Sequence, residues 1–218
     1  MPGMDKLGPV MIVLTLAGGI PLLIAWVGAR ASATARRNGQ ALADRLGLAL
    51  EPAQPKFGRF YPAPKASGMI RGKRAAFFSF ATGSGKSRVI WAAMAITPVA
   101  AGGLTFAIDR QGILTRLGEL FGTKEVQVGD PAFDAAWFIQ TNQPEFFRAA
   151  FLPELRAKLA ALYDQGQLRG GLGLKDGVVM YKEQGAFHQE AQCACLAGVV
   201  DLACDLADVA EVWAKGAR

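Results

Sequence analysis

From Leu7 to Ala29 the chain runs LGPVMIVLTLAGGIPLLIAWVGA without one charged residue. As a helix at 1.5 Å per residue such a run reaches about 34 Å, enough for a hydrocarbon core of ~30 Å. Lipid offers no partner to an open backbone, so a helix is the form required there. The run predicts an N-terminal transmembrane anchor over residues 1–29. Pro21 removes one N–H, a kink that membrane helices tolerate. Trp26 falls near the far end, where an indole prefers the headgroup layer. Thr15, Gly18 and Gly19 are small residues that allow close packing on another membrane helix. A cleaved leader would use a shorter apolar core, and Arg30 separates this one from the small-residue site Ala31-Ser32-Ala33.

Charge sets the expected orientation. Asp5 and Lys6 precede the run, whereas Arg30, Arg36 and Arg37 follow it. Lys and Arg are retained on the cytoplasmic side. The expectation is a single-pass protein of the bacterial cytoplasmic membrane, N-terminus outside, with residues 30–218 in the cytoplasm. Cys193, Cys195 and Cys204 are odd in number and lack framework spacing, which fits reduced thiols.

The formal charge of +6 is unevenly placed. Residues 30–74 hold ten Lys or Arg against Asp44 and Glu51, and the remainder from residue 75 is slightly acidic. Residues 30–74 therefore read as a basic juxtamembrane helix and linker, and residues 75–218 as a cytoplasmic α+β domain. Aromatics interleave the basic block in KFGRFYPAPK, a texture that can bind nucleic acid. Directly behind a membrane helix, anionic lipid headgroups are the nearer partner. The expected membrane-surface residues are Trp26, Arg30, Arg36, Arg37, Lys56 and Arg59.

Residues 30–50 read as a helix with one apolar face, Leu42, Leu46 and Leu50, and Gly39 as its weak point. Prolines and glycines make residues 51–68 an irregular connector. Strand-like runs follow at GMIRG, KRAAFFSFAT, SRVIWAAMAITPV and GLTFAIDRQ. KEVQVGDPAFDAAWFIQT reads as a strand, a Gly-Asp-Pro turn and another strand. A helix broken before Pro153 comes next, with Leu155, Leu159 and Leu162 as its buried stripe and Gly166 as its C-cap. Lys175-Asp176-Gly177 marks a hairpin. A long C-terminal helix, about Phe187 to Lys215, carries Leu196, Val200, Ala203 and Leu206 at helical spacing. The class is α+β, a mostly antiparallel sheet packed with helices.

SFATGSGKSR ends like a phosphate-binding loop, which needs G-x-x-x-x-G-K-[ST]. Counting back from Gly85 places bulky Phe80 at the first, small position. Only a short stretch separates Lys86 from Asp109, too little for a helix, a turn and a strand. The better reading is a glycine-rich hairpin turn exposing Lys86. Nucleotide binding through Lys86 and Ser87 remains the alternative function, beside a membrane-tethered nucleic-acid or lipid-binding module.

No other residue set supplies a reaction. On a helix Cys193 and Cys195 point about 200° apart, and Cys193 and Cys204 lie about 16 Å apart, so no pair chelates one ion with His188. Asp130 is explained by its turn, and Asp130 with Asp134 is the remaining carboxylate pair. There is no G-x-S-x-G elbow. The sequence leads to no catalytic residue, metal or cofactor, and to no small-molecule substrate.

VGDPAFDAAWFIQTNQPEFFRAAFLPELRAKLAAL resembles uncharacterised bacterial single-pass membrane proteins, domain-of-unknown-function families with an N-terminal anchor and a cytoplasmic α+β domain. The likeness rests on Gly-Asp-x-x-Phe-Asp, a strand, and a helix opening at Leu152-Pro153-Glu154-Leu155. It covers residues 125–183 and extends loosely back to residue 42. It implies anchor, topology and fold, and carries no site residue. The function expected is a non-catalytic accessory or scaffold subunit that stabilises or organises a larger membrane protein complex, such as an energy-transducing one, with no nucleic acid bound.

Overall fold

The computed structural model describes residues 7–57, 60–110 and 124–216, with side chains from residue 20 onward except that of Lys124. Helix α1 runs unbroken from Leu7 to Leu46. Its far half docks on the fold, burying Ala35, Leu42 and Ala43. Gly39 sits where Pro64 packs against the helix, with no room for a Cβ. The helix ends at Gly47, whose φ of +66° suits glycine, and Leu50 continues into strand β1 (Ala49–Leu50).

The transmembrane expectation does not hold. Among the described residues no helix is long and apolar enough to cross a membrane. The single-pass localisation, the outside N-terminus and the cytoplasmic domain it implied fall with it. Thr15, Gly18 and Gly19 lie on α1 outside the residues whose side chains are described.

The α+β class and the antiparallel sheet are as the hairpin spacing suggests. Among the described residues nine strands form one sheet, ordered β1-β2-β3-β4-β9-β8-β5-β7-β6. They are β1, β2 (Ala66–Ile70), β3 (Lys73–Thr82), β4 (Val89–Thr97), β5 (Phe106–Arg110), β6 (Lys124–Glu125), β7 (Trp137–Thr141), β8 (Gly171–Lys175) and β9 (Val178–Gln184). Every pairing is antiparallel. Two-residue turns with positive φ at both positions, Arg71-Gly72 and Asp176-Gly177, close β2–β3 and β8–β9. Their backbone twist matches that of the strands they join. Residues of the basic stretch 30–74 thus enter both the sheet, as β1 and β2, and the core, through α1.

Alternation puts Phe77, Met94, Tyr181, Leu172 and Ile108 on one face, all buried. Helix α5 (Glu190–Gly216) lies across that face, against β4 and β9, with α1 on one flank. On the other flank is α4 (Pro153–Asp164). The period of Leu196, Val199, Val200, Ala203, Leu206 and Ala207 keeps the buried stripe of α5 on the sheet. Burying each large apolar side chain contributes about 1.5–3 kcal/mol.

Gly-Asp-Pro opens a helix where the sequence suggested a turn leading into a strand. Helix α2 (Pro131–Ala136) is capped by Asp130, whose side chain accepts from Phe133 N, with Pro131 in the first turn. The strand begins only at Trp137. Six residues are too few for a 3.6-residue pattern to declare itself. Helix α3 (Pro144–Ala149) precedes α4, and the break before Pro153 is where proline spacing placed it. At the end of α4, Gly166 N donates to Tyr163 O and Gln167 N to Leu162 O, both at 2.8 Å.

Candidate interaction site

GSGKS is the turn of the β3–β4 hairpin. Thr82 pairs with Val89, and Gly85–Ser87 form one short 3-10 turn, so Lys86 and Ser87 are exposed on a loop between antiparallel strands. A phosphate cradle needs a strand feeding a full helix, and no such helix follows.

Asp130 caps α2. Asp134 accepts from Val128 N at 2.8 Å and Gly129 N at 3.1 Å. Both carboxylates therefore hold the 128–134 turn together. His188 is exposed just before α5. Cys195 is buried and Cys193 half-buried. Burial pushes both thiols up to about 11. Burial likewise raises Cys204, against the opposing pull of Arg71. At neutral pH these sulfurs stay protonated and poorly nucleophilic.

Of the expected membrane-surface residues, Trp26, Arg30, Arg36 and Arg37 lie on α1 and Lys56 in the connector after β1. Trp26 is exposed, with the Arg30 guanidinium 5.4 Å from its ring centroid. Arg36 stacks on Tyr61 at 5.7 Å, and Arg37 donates to Thr34 Oγ1 at 3.3 Å. Lys56 exchanges backbone bonds with Phe60, and Arg59 lies outside the described residues.

Part of the basic block faces inward to α5. Arg71 bonds Asp205 at 2.6 Å and Asp208 at 2.8 Å. Lys73 reaches Asp208 at 3.2 Å and Glu211 at 2.8 Å, and Lys158 of α4 reaches Asp205 at 2.5 Å. Asp205, Asp208 and the base of Glu211 recur at i, i+3 and i+6 along one side of α5, so the β2–β3 turn and α4 clamp it from both flanks. Burial pushes Asp205 up, but hydrogen bonds from Lys158 and Arg71 outweigh it and hold the carboxyl below its ordinary value. That contribution is present at neutral pH and lost as pH falls through the depressed pKa. Asp205→Ala is expected to cost about 1–2 kcal/mol, less in high salt because the pairs are partly exposed. Thermal unfolding at low and high ionic strength measures both.

This clamp fixes the last two turns of α5 beside the α3–α4 corner, where the chain turns through Ala150 and Leu152. An apolar groove of about 550 Å³ opens between them. Ala149, Ala150 and Leu152 form one wall, and Val209, Val212 and Trp213 the other, with Asp208 and Gly216 at the ends. Leu152 is 52% exposed and Val212 68%, so two large aliphatic side chains stand open side by side at the groove. The polar atoms of the lining are spent internally. Trp213 Nε1 donates to Gln143 Oε1 at 2.9 Å. Asp208 gives one carboxylate oxygen to Arg71 and the other to Lys73. Phe146, fully buried, supports Trp213 edge-on at 5.9 Å. What remains for an occupant is apolar contact area.

The sequence reading did not find this groove. Val212 was its one available signal, a large aliphatic residue outside the buried stripe of α5.

No family model matches the chain. No curated protein matches it. Among solved structures it is similar to the crystal structure of the mycobacterial trehalose monomycolate transport factor A, TtfA, with a TM-score of 0.53 and 10% identity. The match covers 79% of this chain and 92% of that one. At that identity the likeness is one of fold.

Proposed function

We propose that this chain is a non-catalytic accessory subunit that docks on a larger protein assembly through the groove between the α3–α4 corner and the end of α5. The observation that carries the proposal is Leu152 and Val212, exposed on an apolar groove whose side-chain polar atoms are already paired. Apolar anchors seated in such pockets supply most of the affinity in protein interfaces. The protonated thiols and the backbone-bound Asp130 and Asp134 favour a binding role over a reaction. The fold likeness to a mycobacterial transport factor is loosely consistent with an accessory role.

The test is purification of the tagged full chain and of Val212→Glu from the source organism under identical conditions. A protein recovered in stoichiometric amount with the parent should be lost from the variant, while the variant's melting temperature stays within about 2 °C, as for an exposed substitution. Equal recovery with both would refute docking through this groove.

A further inference from the structure

Strand β3 outruns one of its neighbours. From Arg74 to Thr82 it pairs with β4, but with β2 only as far as Ala66 opposite Phe77. The ladder shows which backbone groups are left over. Glu51 N donates to Lys65 O, so Lys65, Ser67 and Met69 turn their backbone groups to β1, and Ala66, Gly68 and Ile70 turn theirs to β3. Their partners Lys73, Ala75 and Phe77 face β2 in return. By the same alternation Ser79 and Ala81 face that side too, where no described strand lies. Continued in register, β2 would set Pro64 opposite Ser79 and Pro62 opposite Ala81. Proline has no N–H to donate, so neither residue could complete the ladder. The chain instead leaves the sheet there for α1, with Pro64 packed on Gly39 and Tyr61 N donating to Ser32 Oγ. Among the described residues no loop or side chain bonds Ser79 or Ala81 in its place.

We infer that this open edge of β3 takes an extended, acidic segment of a partner protein as an added strand. The N–H and C=O groups of Ser79 and Ala81 point one way in a row, and a strand is the form that satisfies them together. Side chains set what the strand carries. Phe78 and Phe80, half-buried with ring centroids 6.1 Å apart, share one face of the edge, where an apolar neighbour packs across the ladder. Ser79 and Ala81 are small and leave the other face open to longer polar side chains. Charge sets the sign. From Pro52 to Ile108 the chain holds eight Lys or Arg and no Asp or Glu. Lys86 and Arg88 stand exposed at the end of this edge, in no ion pair among the described residues. A second copy would bring the same basic turn to the edge, whereas acidic side chains complement it.

The probe is a short synthetic peptide of alternating glutamate and valine, titrated to about 1 mM into the full chain. Backbone amide exchange is read residue by residue. In the chain alone, Ser79 and Ala81 should exchange at least about tenfold faster than Phe78 and Phe80, whose amides face β4. The peptide should slow both by about tenfold or more, and a lysine–valine peptide of equal length should leave them unchanged. Ala81→Pro removes an outward N–H without touching a bond to β4. It should melt within about 3 °C of the parent and bind the peptide about tenfold more weakly. Lys86→Glu with Arg88→Glu, both on the exposed turn, should weaken binding at least as much in low salt. Exchange of Ser79 and Ala81 that the acidic peptide leaves unchanged overturns the inference, as does equal protection by the lysine peptide. Slow exchange of both amides in the chain alone, with a dimer mass on sedimentation, would assign the edge to a second copy and overturn it too. Binding undiminished in both variants would place the peptide elsewhere. None of these outcomes depends on the groove beside the end of α5.

Discussion

Phe146→Ala is expected to lower the unfolding free energy by about 3–5 kcal/mol, the range for truncating a buried phenylalanine. The ring is fully buried. It stacks on Phe106 at 5.8 Å, meets Phe147 edge-on at 5.1 Å and supports Trp213 at 5.9 Å. Alanine would leave a cavity between sheet and groove, because these neighbours are held by other rings. Phe133, Trp137 and Phe151 continue the same cluster. Phe146→Leu, closer in volume, should cost about 1.5 kcal/mol or less. Denaturant midpoints at unchanged m-value give both numbers. A cost for the alanine variant below about 1 kcal/mol would mean the site collapses without strain and Trp213 does not depend on this ring.

Tyr181→Phe is expected to cost about 3 kcal/mol although it removes a single oxygen, because each orphaned buried partner costs about 1–3 kcal/mol. The Tyr181 hydroxyl accepts from Arg169 N at 3.0 Å and Gly170 N at 3.1 Å, and donates to Glu183 Oε2 at 2.7 Å. It fastens the loop after α4 to β9 at a place where Gly170 lies against the Lys182 carbonyl with no room for a side chain. Burial pushes the phenol far up, so it remains a neutral donor. Burial also pushes Glu183 up, and hydrogen bonds from Tyr181 and Gln192 pull it only part of the way back. A carboxyl raised in the folded state binds more protons there than when unfolded. Its contribution is therefore fully present below about pH 4.3 and is lost as pH rises through the raised pKa. Glu183→Gln keeps an acceptor for Tyr181 without this loss. Its stability relative to the parent should improve as pH is raised from the ordinary carboxyl range, measured by unfolding across that interval. A difference independent of pH would show that Glu183 is ionised in the fold throughout.

What was legible in the sequence was mostly local. Glycine at positive φ announced the β8–β9 hairpin, and GSGKS is a hairpin turn, the reading that Phe80 and the short distance to Asp109 had favoured over a phosphate loop. The stripes Leu155-Leu159-Leu162 and Leu196-Val200-Ala203-Leu206 were long enough for the helical period to show, and all seven residues are buried. Helix α2 was missed because Asp130-Pro131, a capping pair, was read only as a turn. The long uncharged N-terminal run invited a membrane span because hydropathy counts residues without locating them. Arg71 and Lys73 were read as part of a basic juxtamembrane linker. Their partners Asp205, Asp208 and Glu211 lie more than a hundred residues later, so only the tertiary fold joins them. The groove was illegible for the same reason, since its walls come from a helix corner and a distant helix end.

The most direct measurement of docking is photo-cross-linking in the source cells with a benzophenone amino acid at Val212, compared with one at exposed Arg88 on the β3–β4 turn. Position 212 should yield one discrete adduct with a protein partner, absent from position 88 and abolished by Leu152→Glu in the same chain. No adduct at 212, or the same adducts from both positions, would contradict an accessory subunit docked through this groove.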